Sequence, residues 1–187
     1  MILVGIGSNL AAPRFGSPQD TAKAALAQLP AIGVAVLDCS RWYLSEPVPP
    51  SDQPWYVNGV ALVETRLAPP ALLAALLVLE AHFGRQRGAA NAARTLDLDL
   101  LDYDGRQSAT KSLVLPHPRL HERRFVLAPL AEIAPRWRHP RLRMTARELL
   151  RRLPPGQPIR VAGASRFARL APAGSRAWRL SVRALGD

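Results

Sequence analysis

The 187-residue chain lacks the usual marks of an exported or membrane protein. Cys39 is its single cysteine, so no intrachain disulfide can form and a reducing compartment is indicated. The longest apolar run, LLAALLVL, is too short to cross a bilayer. The first ten residues, MILVGIGSNL, lack the basic segment of a signal peptide. We therefore expect a cytoplasmic protein with no membrane partner.

Acidic residues are also scarce. The chain has 25 basic residues, nearly all of them arginine, against 14 acidic ones, and its formal net charge is +11. Arginine suits bidentate phosphate contacts, so this balance favours a nucleotide or a nucleic acid as partner. An arginine bias of the source genome explains the balance equally well. The length and the hydrophobic content of 48% are typical of one globular domain.

The hydrophobic pattern predicts a β-α-β-β-α-β order followed by further helices. Strands are predicted at residues 1–7, 34–44, 55–67 and 95–103, and helices at residues 18–30, 69–83, 125–134 and 144–153. This order predicts an α+β, ferredoxin-like fold, in which an antiparallel sheet has helices packed on one face. From about residue 155 the composition changes. We therefore divide the chain into a domain at 1–155 and a basic C-terminal extension at 156–187, a β-hairpin or a tail.

Two aspartates alternate with leucines in the stretch RTLDLDLLDYDG, residues 94–105. On a strand, Asp97 and Asp99 face the same way, roughly 6.5–7 Å apart, while the leucines point into the core. Carboxylates this close repel each other, and Mg²⁺ relieves the repulsion because it prefers carboxylate and phosphate oxygens. Alternation alone favours an ordinary half-exposed strand. The neighbouring residues decide between such a strand and a Mg²⁺ site.

Cationic and imidazole side chains surround this aspartate pair in the sequence. They are Arg85, Arg87 and Arg94 before the strand, and His117, Arg119, Arg123 and Arg124 after it. Acids that hold a metal, beside arginines that hold phosphate, indicate a polyphosphate site. The chain contains no GxxxxGK[ST] motif, which excludes a P-loop enzyme.

Five segments together resemble the 6-hydroxymethyl-7,8-dihydropterin pyrophosphokinase family. They are GIGSNL at 5–10, SEPVPPSDQPWYVN at 45–58, LLVLEAHFGRQR at 76–87, RTLDLD at 94–99 and LPHPRLHERRFVLAPLAEIAP at 115–135. The resemblance implies a ferredoxin-like fold and membership of the folate biosynthesis pathway. It also implies transfer of pyrophosphate from ATP to the hydroxymethyl group of the pterin, with release of AMP.

The resemblance assigns roles to individual residues. Two Mg²⁺ ions are expected on Asp97 and Asp99, and ATP is the expected co-substrate. The implied catalytic residues are Arg85, Arg94, Asp97 and Asp99. The implied nucleotide contacts are Glu80, Arg87, His117 and Arg123. The implied pterin contacts are Ser45, Val48, Tyr56, Asn58 and Phe125.

The physical chemistry of the pterin contacts agrees with these roles. A flat heteroaromatic ring gains from stacking between Tyr56 and Phe125, and the amide of Asn58 matches a lactam edge. Ser45 and Val48 would line the pocket with backbone groups. The two aromatic residues are equally compatible with ordinary core positions, and Asn58 with a strand end.

The chain departs from the family where the family commonly carries Trp-Gly-Pro before RTLDLD. Here the segment reads NAAR and is about one residue shorter. We therefore expect closure over the pterin to be weaker, slower or differently built, with a larger effect on substrate affinity than on reaction type. The resemblance does not reach the C-terminal extension.

Two other hypotheses stay open at this point. A ferredoxin-like RNA-binding module has the same element order, but Asp97 and Asp99 would repel phosphate from its central strand unless a metal is present. A non-catalytic pterin- or nucleotide-binding relative is the other hypothesis. We expect a monomer whose partners are ATP and the hydroxymethyl dihydropterin, and no nucleic acid partner.

Overall fold

The computed structural model describes residues 1–86 and 92–162. Its strands are β1 (Ile2–Ser8), β2 (Val34–Cys39), β3 (Tyr43–Ser45), β4 (Tyr56–Thr65), β5 (Asp97–Tyr103), β6 (Ser108–Ala109), β7 (Val114–Leu115) and β8 (Ile159–Val161). Its α-helices are α1 (Pro18–Gln28), α2 (Pro69–His82), α3 (Arg124–Ile133) and α4 (Ala146–Arg152). Short 3₁₀-helices cover Leu29–Ile32 and Leu120–Glu122. No helix in the described part of the chain has the length and apolarity needed to cross a bilayer.

Local sequence explains where several helices begin. Ser17 caps α1, because its side chain accepts a hydrogen bond from the N–H of Asp20 (3.3 Å), and Pro18 occupies the first turn. At α4, Thr145 and Glu148 form a reciprocal capping box. The predicted helices are confirmed to within a few residues at each end.

The main sheet is antiparallel in all its pairings. Its order is β5-β1-β4-β3-β8, and β2 pairs with the other end of the long strand β4. The order places β1 inside the sheet, between β5 and β4. Strand β5 therefore brings Asp97 and Asp99 beside the strand that carries the GIGSNL motif.

Helices cover both faces of this sheet, so the prediction of helices on one face is wrong. Helices α1 and α2 pack on one face, in a core that includes Val4 and Leu98. Helices α3 and α4 pack on the other face, in a core that includes Leu3 and Leu101. Every residue of β1 is buried, because alternate side chains enter the two cores.

The single strand predicted at 34–44 is instead two strands, and Ser40 lies at the break. The hydroxyl of Ser40 accepts a hydrogen bond from the N–H of Val60 (3.0 Å) while its own N–H donates to the Val60 carbonyl (2.9 Å). Trp42 then packs closely against Gly59, where a Cβ would lie 2.8 Å from the indole ring. The side-chain hydrogen bond and this close packing interrupt the regular ladder.

Strand β8 falls in the segment for which a β-hairpin or a tail was predicted, but it joins the main sheet. It lies in the proposed extension and pairs with β3, opposing Ile159 to Ser45 and Val161 to Tyr43. The rest of the extension, residues 163–187, lies outside the described residues, so the division of the chain at residue 155 stays a prediction.

Candidate active site

The sheet aligns the central residues of the site in a row across neighbouring strands. Asp97 of β5 lies opposite Gly7 of β1, and Gly7 lies opposite Asn58 of β4. Asp99 similarly lies opposite Gly5. Because glycine has no side chain, β1 leaves open space between the carboxylates and the amide. A Cβ built on Gly7 would lie 3.6 Å from both the Asp97 Cβ and the Asn58 Oδ1.

A cavity of about 760 Å³ lies over this row. Ten of the predicted site residues line it: Ser45, Val48, Tyr56, Asn58, Glu80, Arg85, Arg94, Asp97, Arg123 and Phe125. Asp99 and His117 line a neighbouring cavity of about 230 Å³, together with Leu73, Lys111 and Ser112. Arg87 is the one predicted site residue that falls outside the described residues. The structure thus brings every other predicted residue to one of two cavities.

Asp97 lies among three charged side chains. Its Oδ1 accepts a hydrogen bond from Arg85 Nη1 (2.6 Å), and its Oδ2 pairs with Arg94 Nη1 (3.2 Å). The same Arg85 nitrogen also donates to Glu80. Two arginines therefore hold Asp97 from the side of the loop that precedes β5.

Glu80, at the end of α2, connects that helix to β5. Its side chain is buried, and its Oε1 accepts a hydrogen bond from the N–H of Leu98 (2.6 Å), the residue between the two aspartates. Burial raises the pKa of Glu80 to about 7, against the lowering influence of the Leu98 N–H and of Arg85. Glu80 thus fixes the strand segment that presents both carboxylates.

Asp99 is held by residues that follow β5 in the chain. Its Oδ2 lies 3.3 Å from Arg123 Nη1 and 3.7 Å from His117 Nε2. Burial and the neighbouring Asp97 raise the pKa of Asp99, while His117 and Arg123 oppose this rise. Burial lowers the pKa of His117, which favours a neutral imidazole at neutral pH.

The predicted pterin contacts line the larger cavity. Asn58 is buried, and its Nδ2 donates to Ser45 Oγ (3.0 Å). The Tyr56 hydroxyl donates to Gln53 Oε1 (3.2 Å). The guanidinium of Arg123 lies 5.5 Å from the ring centroid of Phe125. A predicted phosphate contact and a predicted pterin contact therefore lie side by side.

Sequence reasoning missed Asn9, which connects the two sides of the site. Its Nδ2 donates to Gln53 Oε1 and to the Pro54 carbonyl (both 3.2 Å), and its Oδ1 accepts from the N–H of Arg94 (2.8 Å). Gln53, which also accepts from Tyr56, was missed too, as were the lining residues Gly7 and Glu122. The available signal for Asn9 was its place in GIGSNL, directly after a buried strand.

The carboxylates suit a hard divalent cation. Asp97 and Asp99 point from the same face of β5 into polar cavities and offer only oxygen atoms, which Mg²⁺ prefers. No group of three or more potential protein ligands occurs within residues 1–86 and 92–162. A cation held here would complete its coordination with water or with oxygen atoms of a bound molecule such as a phosphate ester.

The comparisons with known protein sequences identify one enzyme family. The family model for 7,8-dihydro-6-hydroxymethylpterin-pyrophosphokinase (HPPK) matches residues 3–135. The chain is 43% identical over 149 residues to the 2-amino-4-hydroxy-6-hydroxymethyldihydropteridine pyrophosphokinase of Synechocystis sp., covering 79% of this chain and 73% of the relative. It is 42% identical over 139 residues to the enzyme of the same name from Pseudomonas aeruginosa, covering 74% and 83%.

A solved structure of an HPPK-DHPS protein in complex with substrates has a similar fold. The TM-score is 0.60 at 13% identity, over 80% of this chain and 42% of that one. At this identity the similarity concerns the fold alone. The chain spans less than half the length of that larger protein.

Proposed function

The chain belongs to the 7,8-dihydro-6-hydroxymethylpterin-pyrophosphokinase family, and we propose that its two cavities hold ATP and the pterin around Asp97 and Asp99. The enzyme transfers a pyrophosphoryl group from ATP to the hydroxymethyl group of 6-hydroxymethyl-7,8-dihydropterin, a reaction of folate biosynthesis. The pterin hydroxyl oxygen bonds to the β-phosphorus, the bond between that phosphorus and the α,β-bridging oxygen breaks, and AMP leaves.

The row Asp97–Gly7–Asn58 is the observation that supports this arrangement most strongly. It puts a carboxylate and an amide in register on two strands, with only glycine backbone between them. A flat ring that binds Asn58 can therefore lie over Gly7 and direct its substituent towards Asp97. Tyr56 and Phe125 would provide stacking surfaces, and Ser45 would orient the Asn58 amide through its hydrogen bond.

Asp97 and Asp99 would hold Mg²⁺, and we propose two ions. The bound cations would neutralise charge on the triphosphate and orient it towards the pterin hydroxyl. The carboxylates fit this role because the pKa of Asp99 is raised by burial and by Asp97. Two carboxylates that repel each other are stabilised in their charged form when a cation binds between them.

Arginine and histidine side chains would bind the phosphates from two sides. Arg85 and Arg94 approach from the loop before β5, while Arg123 and His117 approach from the segment after it. On nucleotide binding these guanidiniums would exchange a carboxylate partner for phosphate oxygens, for which the arginine fork is well suited. The neutral His117 would donate or accept a hydrogen bond without adding charge.

The smaller cavity is the proposed site for the nucleoside part of ATP. It lies beside Asp99 and His117, and it combines apolar Leu73 and Leu113 with polar Lys111 and Ser112. A base needs an apolar surface, and the adjoining phosphates need cations. Placing ATP here leaves the larger cavity to the pterin, with the β-phosphorus close to the aspartates.

We also propose that the fold is ferredoxin-like. The order β5-β1-β4-β2, with α1 and α2 on one face, is the arrangement expected for a β-α-β-β-α-β chain. We further propose that the protein is a cytoplasmic monomer, and the single, buried Cys39 is consistent with a reducing compartment.

The proposed function is tested by following AMP and the pterin diphosphate during incubation with ATP, Mg²⁺ and the hydroxymethyl pterin. We expect equal amounts of both products, and none when the pterin or Mg²⁺ is omitted. Binding of both ligands without AMP release would instead identify a non-catalytic relative. ATP hydrolysis to ADP and phosphate would contradict the proposed bond cleavage.

A further inference from the structure

The excess positive charge is confined to one end of the chain. Residues 1–135, where the family match ends, carry twelve basic and twelve acidic side chains. Residues 136–187 carry thirteen basic side chains, all of them arginine, and only two acidic ones. A genome-wide arginine bias would not leave the first 135 residues electrically neutral. The charge therefore reflects a local feature of the C-terminal part.

The described part of this region forms a surface of exposed arginines. Residues 136–152 comprise a loop closed by the bridge between Arg138 and Thr145, and the helix α4 that follows. All seven arginines of this segment are exposed, and we call them the arginine surface: Arg136, Arg138, Arg141, Arg143, Arg147, Arg151 and Arg152.

Almost nothing in the described part of the chain neutralises this surface. Glu148, the single acid of residues 136–152, lies 3.7 Å from Arg138, but its carboxylate also completes the capping box of α4. The inner side of α4, with Ala146 and Leu149, is already packed in the core beneath α3. None of the seven arginines lines either cavity of the active site. The surface therefore has no role in the proposed reaction.

We propose that the arginine surface binds the phosphate backbone of a nucleic acid without sequence preference. Arginine forks match phosphate oxygens, and interfaces with nucleic acids are more polar and more positive than those between proteins. A protein partner would call for aromatic or apolar anchors, and a membrane for an outward apolar helix face. Leu142 is the one large exposed hydrophobic residue of this segment. This proposal departs from the expectation of no nucleic acid partner, because the arginine surface is distinct from the sheet face that carries Asp97 and Asp99.

Fluorescence anisotropy of the full chain with a labelled single-stranded RNA of about 16 nucleotides tests this proposal. If about four phosphates are contacted, log K should fall with log salt with a slope near −3, which is about a 50-fold loss between 50 and 200 mM salt. Binding should persist with saturating non-hydrolysable ATP analogue and Mg²⁺. Competition by the analogue would place the RNA in the active site and overturn the proposal.

Two variants with the same net charge distinguish binding by the arginine surface from binding by overall positive charge. Arg147→Gln/Arg151→Gln/Arg152→Gln and the control Arg14→Gln/Arg66→Gln/Arg106→Gln each remove three exposed arginines. The first should lower the salt slope by about 2 and weaken binding at least tenfold, whereas the control should change neither appreciably.

Equal loss in both variants, or no loss in the first, would contradict the proposal. Equally tight, equally variant-sensitive binding to poly-glutamate or to phosphatidylserine vesicles would also contradict it, because a phosphate backbone would then not be the preferred ligand. AMP release by the first variant should be unchanged. This activity is measured separately, so failure of RNA binding leaves the proposed function untouched.

Discussion

Replacing Glu80 by glutamine should change how stability depends on pH. The pKa of Glu80 is raised from 4.5 to about 7, so the folded protein keeps its proton over a range in which the unfolded chain has lost it. The unfolded state then binds fewer protons, and the free energy of unfolding contributed by Glu80 falls as pH rises from 4.5 to 7. At about 1.4 kcal/mol per pKa unit, the loss is on the order of 3 kcal/mol.

Glutamine removes this ionisation and keeps an oxygen to accept the hydrogen bond from Leu98. Urea unfolding of both proteins at pH 5, 6, 7 and 8, without Mg²⁺ or nucleotide, should therefore show Glu80→Gln gaining on the wild type by roughly 3 kcal/mol across the range. Glu64→Gln, an exposed site on β4, controls for the loss of an acid. A difference that is constant, or that turns in favour of the wild type as pH rises, would show that Arg85 keeps Glu80 ionised in the fold.

Three further substitutions test the two sides of the site. Arg123→Gln should weaken binding of a non-hydrolysable ATP analogue about 10- to 100-fold and change pterin affinity less, because it removes a charge-assisted phosphate contact; calorimetry with each ligand alone would contradict this if the pterin were the one affected. Gly7→Ala adds a methyl group in ordinary van der Waals contact with its neighbours, so the protein should fold normally. It should bind pterin about tenfold more weakly, because the methyl group occupies the floor of the site. Unchanged pterin affinity would show that Gly7 does not form this floor. Asn9→Ala leaves the N–H of Arg94 without its acceptor, so unfolding free energy should drop by about 1–3 kcal/mol and turnover should fall, and unchanged values in urea titrations and AMP assays would contradict this role of Asn9.

The sequence was sufficient where one local pattern decides the outcome. Alternation placed Leu98 on the face that packs against α1 and α2 and Asp97 on the opposite face, and the cap at Ser17 marked the start of α1. These features depend on the residue and its near neighbours. The predictions therefore agreed with the structure.

The sequence of β1 does indicate that helices pack on both faces of the sheet. An antiparallel strand with one solvent-exposed face alternates between polar and apolar residues. Strand β1 instead reads ILVGIGS and is buried throughout. Such a run indicates cores on both faces, as Leu3 and Val4 show. The apolar stripe of α3 needed a surface to cover, and the second face of the sheet was the one left.

Other features depend on residues distant in sequence. The break at Ser40 requires a hydrogen bond with Val60, and the role of Asn9 requires Arg94, 85 positions later. No local pattern announces either contact. Pairings of this kind become predictable only once the order of the sheet is known, because the order fixes which segments meet.

The most direct test of the account is the rate of AMP release by Asp97→Asn and Asp99→Asn at saturating Mg²⁺, ATP and pterin, together with their unfolding free energies. Asparagine keeps the shape but not the charge that would hold Mg²⁺. Each variant should lose at least about 100-fold in turnover, an effect of several kcal/mol on the transition state. Asp99→Asn should remain as stable as the wild type, because burial and Asp97 already disfavour its charge. Near-normal turnover in either folded variant would contradict the assignment of the aspartates as the centre of the site.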